Sequence, residues 1–244
     1  MPNLKNTSMR VSAIVLAAGR GQRFKSRIPK ALALIDSTPV IAYSLGILQR
    51  NRCISEIIVV ANSSTRRAAE KIKKAFRFSK LTRIVLGGKE RQDSVACGLK
   101  VINPATDLVV IHDAARPFVT SRLINALIKE AQKTKAAIVA VPVKATIKRA
   151  TGSIAARRAA RSIAVKETLD RKGLWEAQTP QVFKKELIVE AYRRFRKIPV
   201  TDDATLVEKL KVKVSIVMGS YRNLKITTLE DLVIARAIAK ANTQ

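Results

Sequence analysis

A stretch near the N-terminus combines small residues with closely spaced positive charges. It reads AIVLAAGRGQRFKSRIPKAL from Ala13 to Leu32. Small residues after a buried strand let backbone N–H groups approach a ligand closely, and such a loop can hold phosphates. The small residues are Ala17, Ala18, Gly19 and Gly21, and the cations that follow are Arg20, Arg23, Lys25, Arg27 and Lys30. Because cations packed this closely repel one another unless an anion joins them, a polyphosphate is the expected ligand, with a basic surface turn as the alternative.

The stretch matches neither of the two common phosphate-binding fingerprints. Gly19 and Gly21 lack the third glycine of GxGxxG, and no GxxxxGK[ST] is present. Neither motif indicates which strands and helices position the loop, so these are predicted from the rest of the chain.

Short, nearly continuous apolar runs predict strands that are buried on both faces, as in a parallel sheet. These runs are Ser12–Leu16, Glu56–Ala61, Thr82–Leu86, Leu108–Ile111 and Ala136–Val141. Amphipathic stretches lie between them, at Ser63–Phe76, Asp93–Val101 and Ser121–Lys133, and a further helix is expected to open at Thr38-Pro39. The alternation predicts an α/β, Rossmann-like, doubly wound and mostly parallel sheet, with ligand-binding groups at the carboxyl ends of its strands.

The regular alternation stops after Pro142. Residues 144–173 carry a Thr-Gly turn signal between two β-capable pieces and indicate a projecting arm, although Ala155–Ala164 could also form a short helix. Helices are predicted again at Lys184–Arg196, Thr201–Leu210 and Thr228–Ala241, with a strand at Lys213–Met218. We interpret residues 1–244 as one domain with the arm as an insertion.

Composition narrows the possible partners. The 47 Lys and Arg against 18 Asp and Glu give a formal net charge of +29, which favours anionic partners of any kind. Only 4% of the residues are aromatic, so the stacking platforms of single-strand binders are scarce, and no specific nucleic acid is expected. The apolar run near the N-terminus is too short to span a membrane, and two cysteines are too few for a disulfide framework, so a cytoplasmic protein is expected.

Six sequence blocks carry a resemblance to one enzyme family. They are LAAGRGQRFKSRIPKAL, GGKERQDSV, IHDAARPFV, TLDRKGLWEAQTPQVF, TDDATLVE and NLKITTLEDL. Together they resemble the 2-C-methyl-D-erythritol 4-phosphate cytidylyltransferases of non-mevalonate isoprenoid biosynthesis. They occur in the family's order and extend over nearly the whole chain, from about Val11 to Ala239. The first block alone is shared by many sugar nucleotidyltransferases.

The resemblance implies that CTP and 2-C-methyl-D-erythritol 4-phosphate are joined with release of pyrophosphate. A phosphate oxygen of the sugar alcohol would attack the α-phosphorus of CTP in line. Because that nucleophile is already ionised near neutral pH, no general base is required, and the protein has to position two polyanions and stabilise the added negative charge. Magnesium is the implied cofactor, held by Asp113 together with the phosphates.

The same resemblance implies the roles of individual residues. Arg23, Lys30 and Lys225 match the cations around the reacting phosphates, and Ala17, Ala18, Gly19, Gly21, Gly88 and Ser94 match the nucleotide-binding positions. The positions expected to bind the sugar-alcohol phosphate are Asp113, Arg116, Thr146, Arg171, Thr179, Thr201 and Lys225. Arg171 resembles an arginine that reaches the partner's substrate across a homodimer interface formed by the arm. His112, the one histidine in the chain, is interpreted as structural.

Two other hypotheses compete with this interpretation of the function. The chain could transfer cytidylate to another polyol phosphate, such as ribitol 5-phosphate, or it could be an RNA-binding protein that keeps the fold without the chemistry. The chain also departs from the family pattern, since Lys89 and Arg222 stand where acids are common and the segment around AARRAAR is longer and more basic than usual.

Overall fold

The structure is a computed structural model that describes residues 9–19, 21, 24, 26, 28–151 and 163–241. Its strands in chain order are β1 (Val11–Ala17), β2 (Leu34–Ile35), β3 (Thr38–Pro39), β4 (Glu56–Ala61), β5 (Leu81–Leu86), β6 (Leu108–Asp113), β7 (Ala136–Pro142), β8 (Ile147–Ala150), β9 (Val165–Leu169), β10 (Trp175–Lys184) and β11 (Ser215–Met218). Its α-helices are α1 (Val40–Arg50), α2 (Ser63–Ala75), α3 (Arg91–Leu99), α4 (Ser121–Thr134), α5 (Lys185–Phe195), α6 (Ala204–Glu208) and α7 (Leu229–Ala241).

A seven-stranded sheet forms the centre of the fold. Its strand order is β11-β7-β10-β6-β1-β4-β5. Strand β10 runs antiparallel to both of its neighbours, and every other pair in this sheet is parallel. The predicted α/β, mostly parallel sheet is confirmed.

Helices cover both faces of the sheet, which explains why its inner strands are apolar without alternation. From β1, Ala13 and Val15 point into a cluster that includes Leu45 of α1, whereas Ile14 points into the opposite cluster with Val95 of α3. All of these side chains are fully buried. Burial of each larger aliphatic side chain, such as Ile14 or Leu45, contributes about 1.5–3 kcal/mol, so the two clusters fix the register of the strands whose ends form the site.

The prediction that a helix opens with Thr38 as its cap and Pro39 as its first residue is wrong by one residue. Thr38 and Pro39 form β3, which pairs with β2 across a tight turn where Asp36 has a positive φ of 53°. Pro39 is extended and precedes the helix, and α1 begins at Val40, whose N–H donates to the carbonyl of Ala33. The helix predicted at Thr201–Leu210 is also shorter, as α6.

Strand β10 was not predicted, although it lies in the middle of the sheet. It pairs with β6 on one side and β7 on the other, with an irregularity between Ala177 and Gln181. Its first half, WEAQTP, is polar and contains a proline, which is why it does not resemble a buried strand. This strand carries Gln178 and Thr179 to the site.

The described part of the arm is a small antiparallel ribbon. Strands β8 and β9 pair with each other and form a sheet separate from the central one. Most of their residues are exposed, including Val165. The alternative helix at Ala155–Ala164 lies largely outside the described residues. Over the described part of the chain, no helix has the length and apolar character that a membrane span requires.

Candidate active site

Strand ends bring the first site residues together. Strands β1 and β6 are parallel neighbours in which Leu16 pairs with Asp113, so the two strands end side by side. The antiparallel β10 passes the same edge, where the Thr179 hydroxyl accepts a hydrogen bond from the Asp113 N–H at 3.0 Å. The end of β6 is therefore anchored to β10 as well as to β1.

Two polar side chains at the start of α2 hold the loop that follows β1. Asn62 caps α2 by accepting from the N–H of Thr65 at 2.8 Å, and its amide also donates to the carbonyl of Ala18 at 3.2 Å. The Thr65 hydroxyl lies 3.3 Å from the carbonyl of Ala17 and donates to it. Because both carbonyls are turned toward α2, the small residues after β1 keep a fixed backbone path.

A pocket lies over these strand ends and encloses about 690 Å³ of space, counting its open mouth. Its lining residues are Leu16, Ala17, Ala18, Gly19, Lys30, Ala31, Gly88, Lys89, Glu90, Arg91, Ser94, Asp113, Ala115 and Lys225. We call it the nucleotide-side pocket, because it gathers most of the residues that the sequence assigns to nucleotide binding.

Two glycines shape this pocket in opposite ways. A methyl group added at Gly87 would lie 2.7 Å from Ala18 Cβ and 2.5 Å from Ser94 Oγ, so only glycine lets the two loops and α3 meet there. A methyl group added at Gly19 would meet no described atom within 4 Å. Gly19 therefore borders space that no described residue fills and that a ligand can occupy.

A second, smaller pocket adjoins the first. It is lined by Arg91, Asp113, Arg116, Ala177, Gln178, Thr179, Gln181, Thr201, Asp202 and Lys225. We call it the acceptor-side pocket. Three charged residues, Arg91, Asp113 and Lys225, line both pockets. The two pockets are therefore bounded by the same three charged side chains.

Asp113 is the electrostatic centre of this junction. Lys225 Nζ lies 2.6 Å from its Oδ2, Arg91 Nε lies 3.5 Å from its Oδ1, and Arg116 Nε lies 4.0 Å from Oδ2. Burial alone would raise the pKa of Asp113, but the charges of Lys225, Arg91 and Arg116 hold it well below its ordinary value. The carboxylate is therefore ionised and binds cations from three directions.

Arg91 is charged for a similar reason. Burial opposes its charge, yet Asp203 and Asp113 raise its pKa above the ordinary value. The Arg91 NH2 group lies 2.8 Å from Asp203 Oδ2, and the Asp203 side chain is 1% exposed.

His112 is a neutral spacer beneath the junction. Burial lowers its pKa to about 4, so the ring is uncharged near neutral pH. Its Nδ1 lies 3.2 Å from the Thr179 hydroxyl and its Nε2 lies 3.2 Å from the carbonyl of Arg116. Because the carbonyl of Arg116 can only accept, the ring N–H lies on Nε2 and donates to it, and Nδ1 of the neutral ring accepts from the Thr179 hydroxyl. This arrangement agrees with the structural role interpreted from the sequence.

The loop that carries Lys225 is held by Asn223, which is fully buried. The Asn223 amide donates to Gln178 Oε1 and to the carbonyl of Thr179, both at 2.9 Å. The carbonyl of Asn223 accepts from Arg116 NH1 at 2.7 Å. Lys225 is thus positioned by contacts to β10 and to the segment after β6.

The other residues assigned from the sequence fall into three groups. Arg23 lies outside the described residues. Gly21, with φ of 62°, lies next to the backbone of Lys30 but does not line either pocket. Thr146 and Arg171 are exposed at the base of the arm and line neither pocket, and Arg171 NH1 donates to the carbonyl of Lys144.

Sequence reasoning missed several residues that build the site. Arg91 and Asp203 are inside quoted blocks, GGKERQDSV and TDDATLVE, but nothing in their spacing shows that they pair. Asn62 carried a detectable signal, because Asn followed three residues later by Thr is a possible helix cap. Its contact with Ala18 depends on strand order and could not be inferred.

Comparisons with known proteins agree on one family. The family model for 2-C-methyl-D-erythritol 4-phosphate cytidylyltransferase (IspD) matches residues 11–241. The chain is 42% identical to the 2-C-methyl-D-erythritol 4-phosphate cytidylyltransferase of Shouchella clausii over 234 residues, which cover 95% of this chain and 97% of the relative. It is 44% identical to the protein of the same name from Caldanaerobacter subterraneus over 230 residues, covering 93% and 97% of the two chains.

A solved structure gives the same result. The crystal structure of 4-diphosphocytidyl-2C-methyl-D-erythritol synthase from Anaerococcus prevotii superposes with a TM-score of 0.80 at 32% identity, covering 96% of this chain and 99% of that one. A family match over nearly the whole chain and relatives above 40% identity agree with the six blocks read from the sequence. The chain therefore belongs to the 2-C-methyl-D-erythritol 4-phosphate cytidylyltransferase family.

Proposed function

We propose that the chain is a nucleotidyltransferase that joins CTP to 2-C-methyl-D-erythritol 4-phosphate, forming 4-diphosphocytidyl-2-C-methyl-D-erythritol and pyrophosphate. The observation that carries the proposal is the pair of adjoining pockets that share Arg91, Asp113 and Lys225. A reaction between two phosphorylated substrates needs two such compartments and a charged junction where they meet. The family membership identifies the substrates.

In this proposal CTP occupies the nucleotide-side pocket. The backbone of Ala17, Ala18 and Gly19 and the loop with Gly88 and Ser94 border the base and ribose, and Lys30 faces the triphosphate. The space beside Gly19, which no described residue fills, supports this arrangement. Arg23 is assigned to the triphosphate by the sequence resemblance alone.

The sugar-alcohol phosphate occupies the acceptor-side pocket in this proposal. Arg116, Thr179 and Thr201 line that pocket and offer donors to phosphate or hydroxyl oxygens. An oxygen of this phosphate attacks the α-phosphorus of CTP, a new P–O bond forms, and the bond to the pyrophosphate leaving group breaks in line. Lys225, at the junction, stabilises the negative charge on the oxygens of the phosphoryl group being transferred.

We also propose that magnesium enters with the triphosphate and that Asp113 is its protein ligand. Within the described residues no group of three or more His, Cys, Asp or Glu side chains gathers at one point, so a closed metal cage is not built there. A single ionised carboxylate beside a phosphate site fits magnesium, which keeps several waters and takes its other ligands from the substrate. The bound ion would neutralise phosphate charge. Lys225 Nζ contacts Asp113 Oδ2, so Lys225 and the magnesium ion would share this carboxylate.

We propose that the whole chain acts as one catalytic domain and assembles as a homodimer through the arm, residues 144–173. Arg171 is exposed and lines neither pocket of its own chain, so a role at the partner's site accounts for its placement. Its planar fork of donors suits a phosphate better than a lysine would. The exposed Val165 and Trp175 on and beside the arm also favour a protein contact.

Pyrophosphate release from CTP and 2-C-methyl-D-erythritol 4-phosphate tests the proposed reaction. The natural chain should release pyrophosphate with this acceptor and much more slowly with ribitol 5-phosphate, whereas a reversed preference would assign a different acceptor. Lys30→Ala should lose most activity, while Lys133→Ala, which removes an equal charge from the exposed end of α4, should not. Equal activity in both variants would show that Lys30 does not act in the site.

Mixed dimers test the arm. When Lys30→Ala and Arg171→Ala chains are mixed and allowed to exchange, each heterodimer contains one site with Lys30 from one chain and Arg171 from the other. Activity should therefore reappear on mixing. If activity does not recover although sedimentation shows that dimers have formed, Arg171 acts at the site of its own chain or at no site. Lys172→Ala in place of Arg171→Ala provides the control, since it removes the neighbouring exposed charge.

A further inference from the structure

Arg91 has an unusual position between two carboxylates. It is the first residue of α3, and its guanidinium contacts Asp203 Oδ2 at 2.8 Å and Asp113 Oδ1 at 3.5 Å. The side chain is 28% exposed, so it is not an ordinary surface arginine. It lines both pockets together with Asp113 and Lys225.

Asp203, the first of the two carboxylates that Arg91 contacts, is held in place by the core. Asp203 is fully buried, and its Oδ1 accepts from the Tyr192 hydroxyl of α5 at 2.5 Å. The Asp203 N–H donates to Gln181 Oε1 of β10 at 3.2 Å. Asp203 is thus a rigid anion that belongs to the helical layer and the sheet, not to either pocket.

Asp113, the second carboxylate, lies at the junction of the two pockets. Asp113 holds Arg91 on one carboxylate oxygen and Lys225 on the other. An uninterrupted series of polar contacts therefore runs from Tyr192 through Asp203, Arg91 and Asp113 to Lys225 Nζ. A carboxylate with a cation on only one oxygen can rotate about its terminal torsion, which is broad, whereas contacts on both oxygens fix its plane.

Charge matching explains why an arginine suits this place. Asp203 neutralises Arg91, so Arg91 can lie near Asp113 without displacing Lys225 from it. Arg91 also carries a fixed fork of donors and cannot lose its proton, which lets it bridge two acids in one geometry.

We propose that Arg91 is a positioning residue that acts through Asp113: anchored by Asp203, it orients the Asp113 carboxylate so that Lys225 Nζ stays at the junction of the two pockets. This inference rests on the proposed function, because the junction is where that function puts the transferred phosphorus. Arg91 itself has no assigned contact with the reacting atoms.

A double-mutant cycle separates this role from a direct or a purely structural one. Arg91→Gln should lower kcat about 10- to 100-fold and change the KM for CTP less than about threefold, and Arg91→Lys should recover part of kcat. In an Asp113→Asn background, Arg91→Gln should lower kcat by no more than about twofold further, because the carboxylate through which it acts is gone. An equal drop in both backgrounds would overturn the proposal.

Ile128→Val is the stability control. It removes one methyl group from a buried residue of α4 that takes part in none of the contacts above. It should lower the thermal midpoint while kcat stays within about threefold of the natural chain. If its kcat fell as far as that of Arg91→Gln, activity would follow core stability and the positioning role would be wrong.

A crystal structure of Arg91→Gln supplies a readout that does not depend on activity. The proposal requires Lys225 Nζ to leave Asp113 Oδ2 or the carboxylate plane to turn, and unchanged positions of both groups would contradict it. If the natural chain released no pyrophosphate, the proposed function would fail, and this structure would still decide whether Arg91 positions Lys225.

Discussion

Lys225 Nζ lies 2.6 Å from Asp113 Oδ2, and this contact joins the loop before α7 to the carboxyl end of β6. The two residues are far apart in sequence and meet because Asn223 ties the Lys225 loop to β10, which in turn pairs with β6. The ion pair therefore depends on the whole middle of the sheet. It also lies where the two pockets join.

Replacing Lys225 by Met should lower kcat for pyrophosphate release about 10²- to 10³-fold, the usual loss when one preorganised donor to a transition state is removed. Met keeps most of the length of the side chain and removes the charge. Lys225→Arg should retain more activity than Lys225→Met. A kcat within about threefold of the natural value in the Met variant would mean that Lys225 does not act on the transferred phosphate.

Two glycine substitutions should separate ligand space from protein packing. Gly19→Ala should leave the free energy of unfolding nearly unchanged, because the added methyl meets no described atom, but raise the KM for CTP about tenfold, or about 1.4 kcal/mol. Gly87→Ala should cost about 1–3 kcal/mol of stability, because its methyl would overlap Ala18 and Ser94. Urea unfolding and CTP titrations measure both quantities. A stable Gly19→Ala chain with an unchanged KM would place CTP elsewhere.

Thr179→Val should destabilise the protein by about 1–3 kcal/mol, although the two side chains have nearly the same shape. The change leaves the buried N–H of Asp113 without its acceptor and His112 Nδ1 without its donor. Thr179→Ser keeps the hydroxyl and should lose much less. Equal free energies of unfolding for the Val and Ser variants would show that the hydroxyl does not support the end of β6.

His112 should make stability depend on pH in a defined window. Its pKa is about 4 in the folded chain against 6.5 for an ordinary histidine. Because the folded value is lower, the unfolded chain takes up the proton first as the pH falls. The free energy of unfolding should therefore decrease between about pH 6.5 and 4 by about 3 kcal/mol from this residue, and then lose no more from it.

The chain's single histidine makes this prediction easy to check by NMR. The ring carbon-bound proton of His112 should show no titration down to about pH 5. A midpoint near 6.5 in the folded protein would mean that the ring is not buried as a neutral group. A folded His112→Phe variant should show a weaker pH dependence of the free energy of unfolding between pH 4 and 6.5 than the natural chain. If the variant does not fold, the NMR titration of His112 alone tests the prediction.

Sequence alone predicted the parallel part of the fold well, because strands buried on both faces show continuous apolar runs. β1, β4 and β6 are such strands, and each was predicted close to its observed range. β10 escaped prediction because Gln178 and Thr179 face the site and make its first half polar. A central strand that serves a site does not resemble a core strand.

The site was predicted unevenly for a similar reason. Ala18 directly follows β1 and Lys30 belongs to the basic stretch after it, so both could be proposed from local pattern, and Asp113 could be proposed from its place at a strand end. The pairing of Arg91 with Asp203 joins residues 112 positions apart across two elements, and no local signal encodes it. Contacts of that kind require the topology of the sheet.

The most direct test is the pyrophosphate-release rate of the natural chain with CTP and 2-C-methyl-D-erythritol 4-phosphate together, compared with Lys225→Met and with each substrate alone. The account predicts release only when both substrates are present, and a loss of about 10²-fold or more in the variant. Release without the sugar-alcohol phosphate, or equal rates for the natural chain and Lys225→Met, would contradict the assignment of two pockets that share one charged junction.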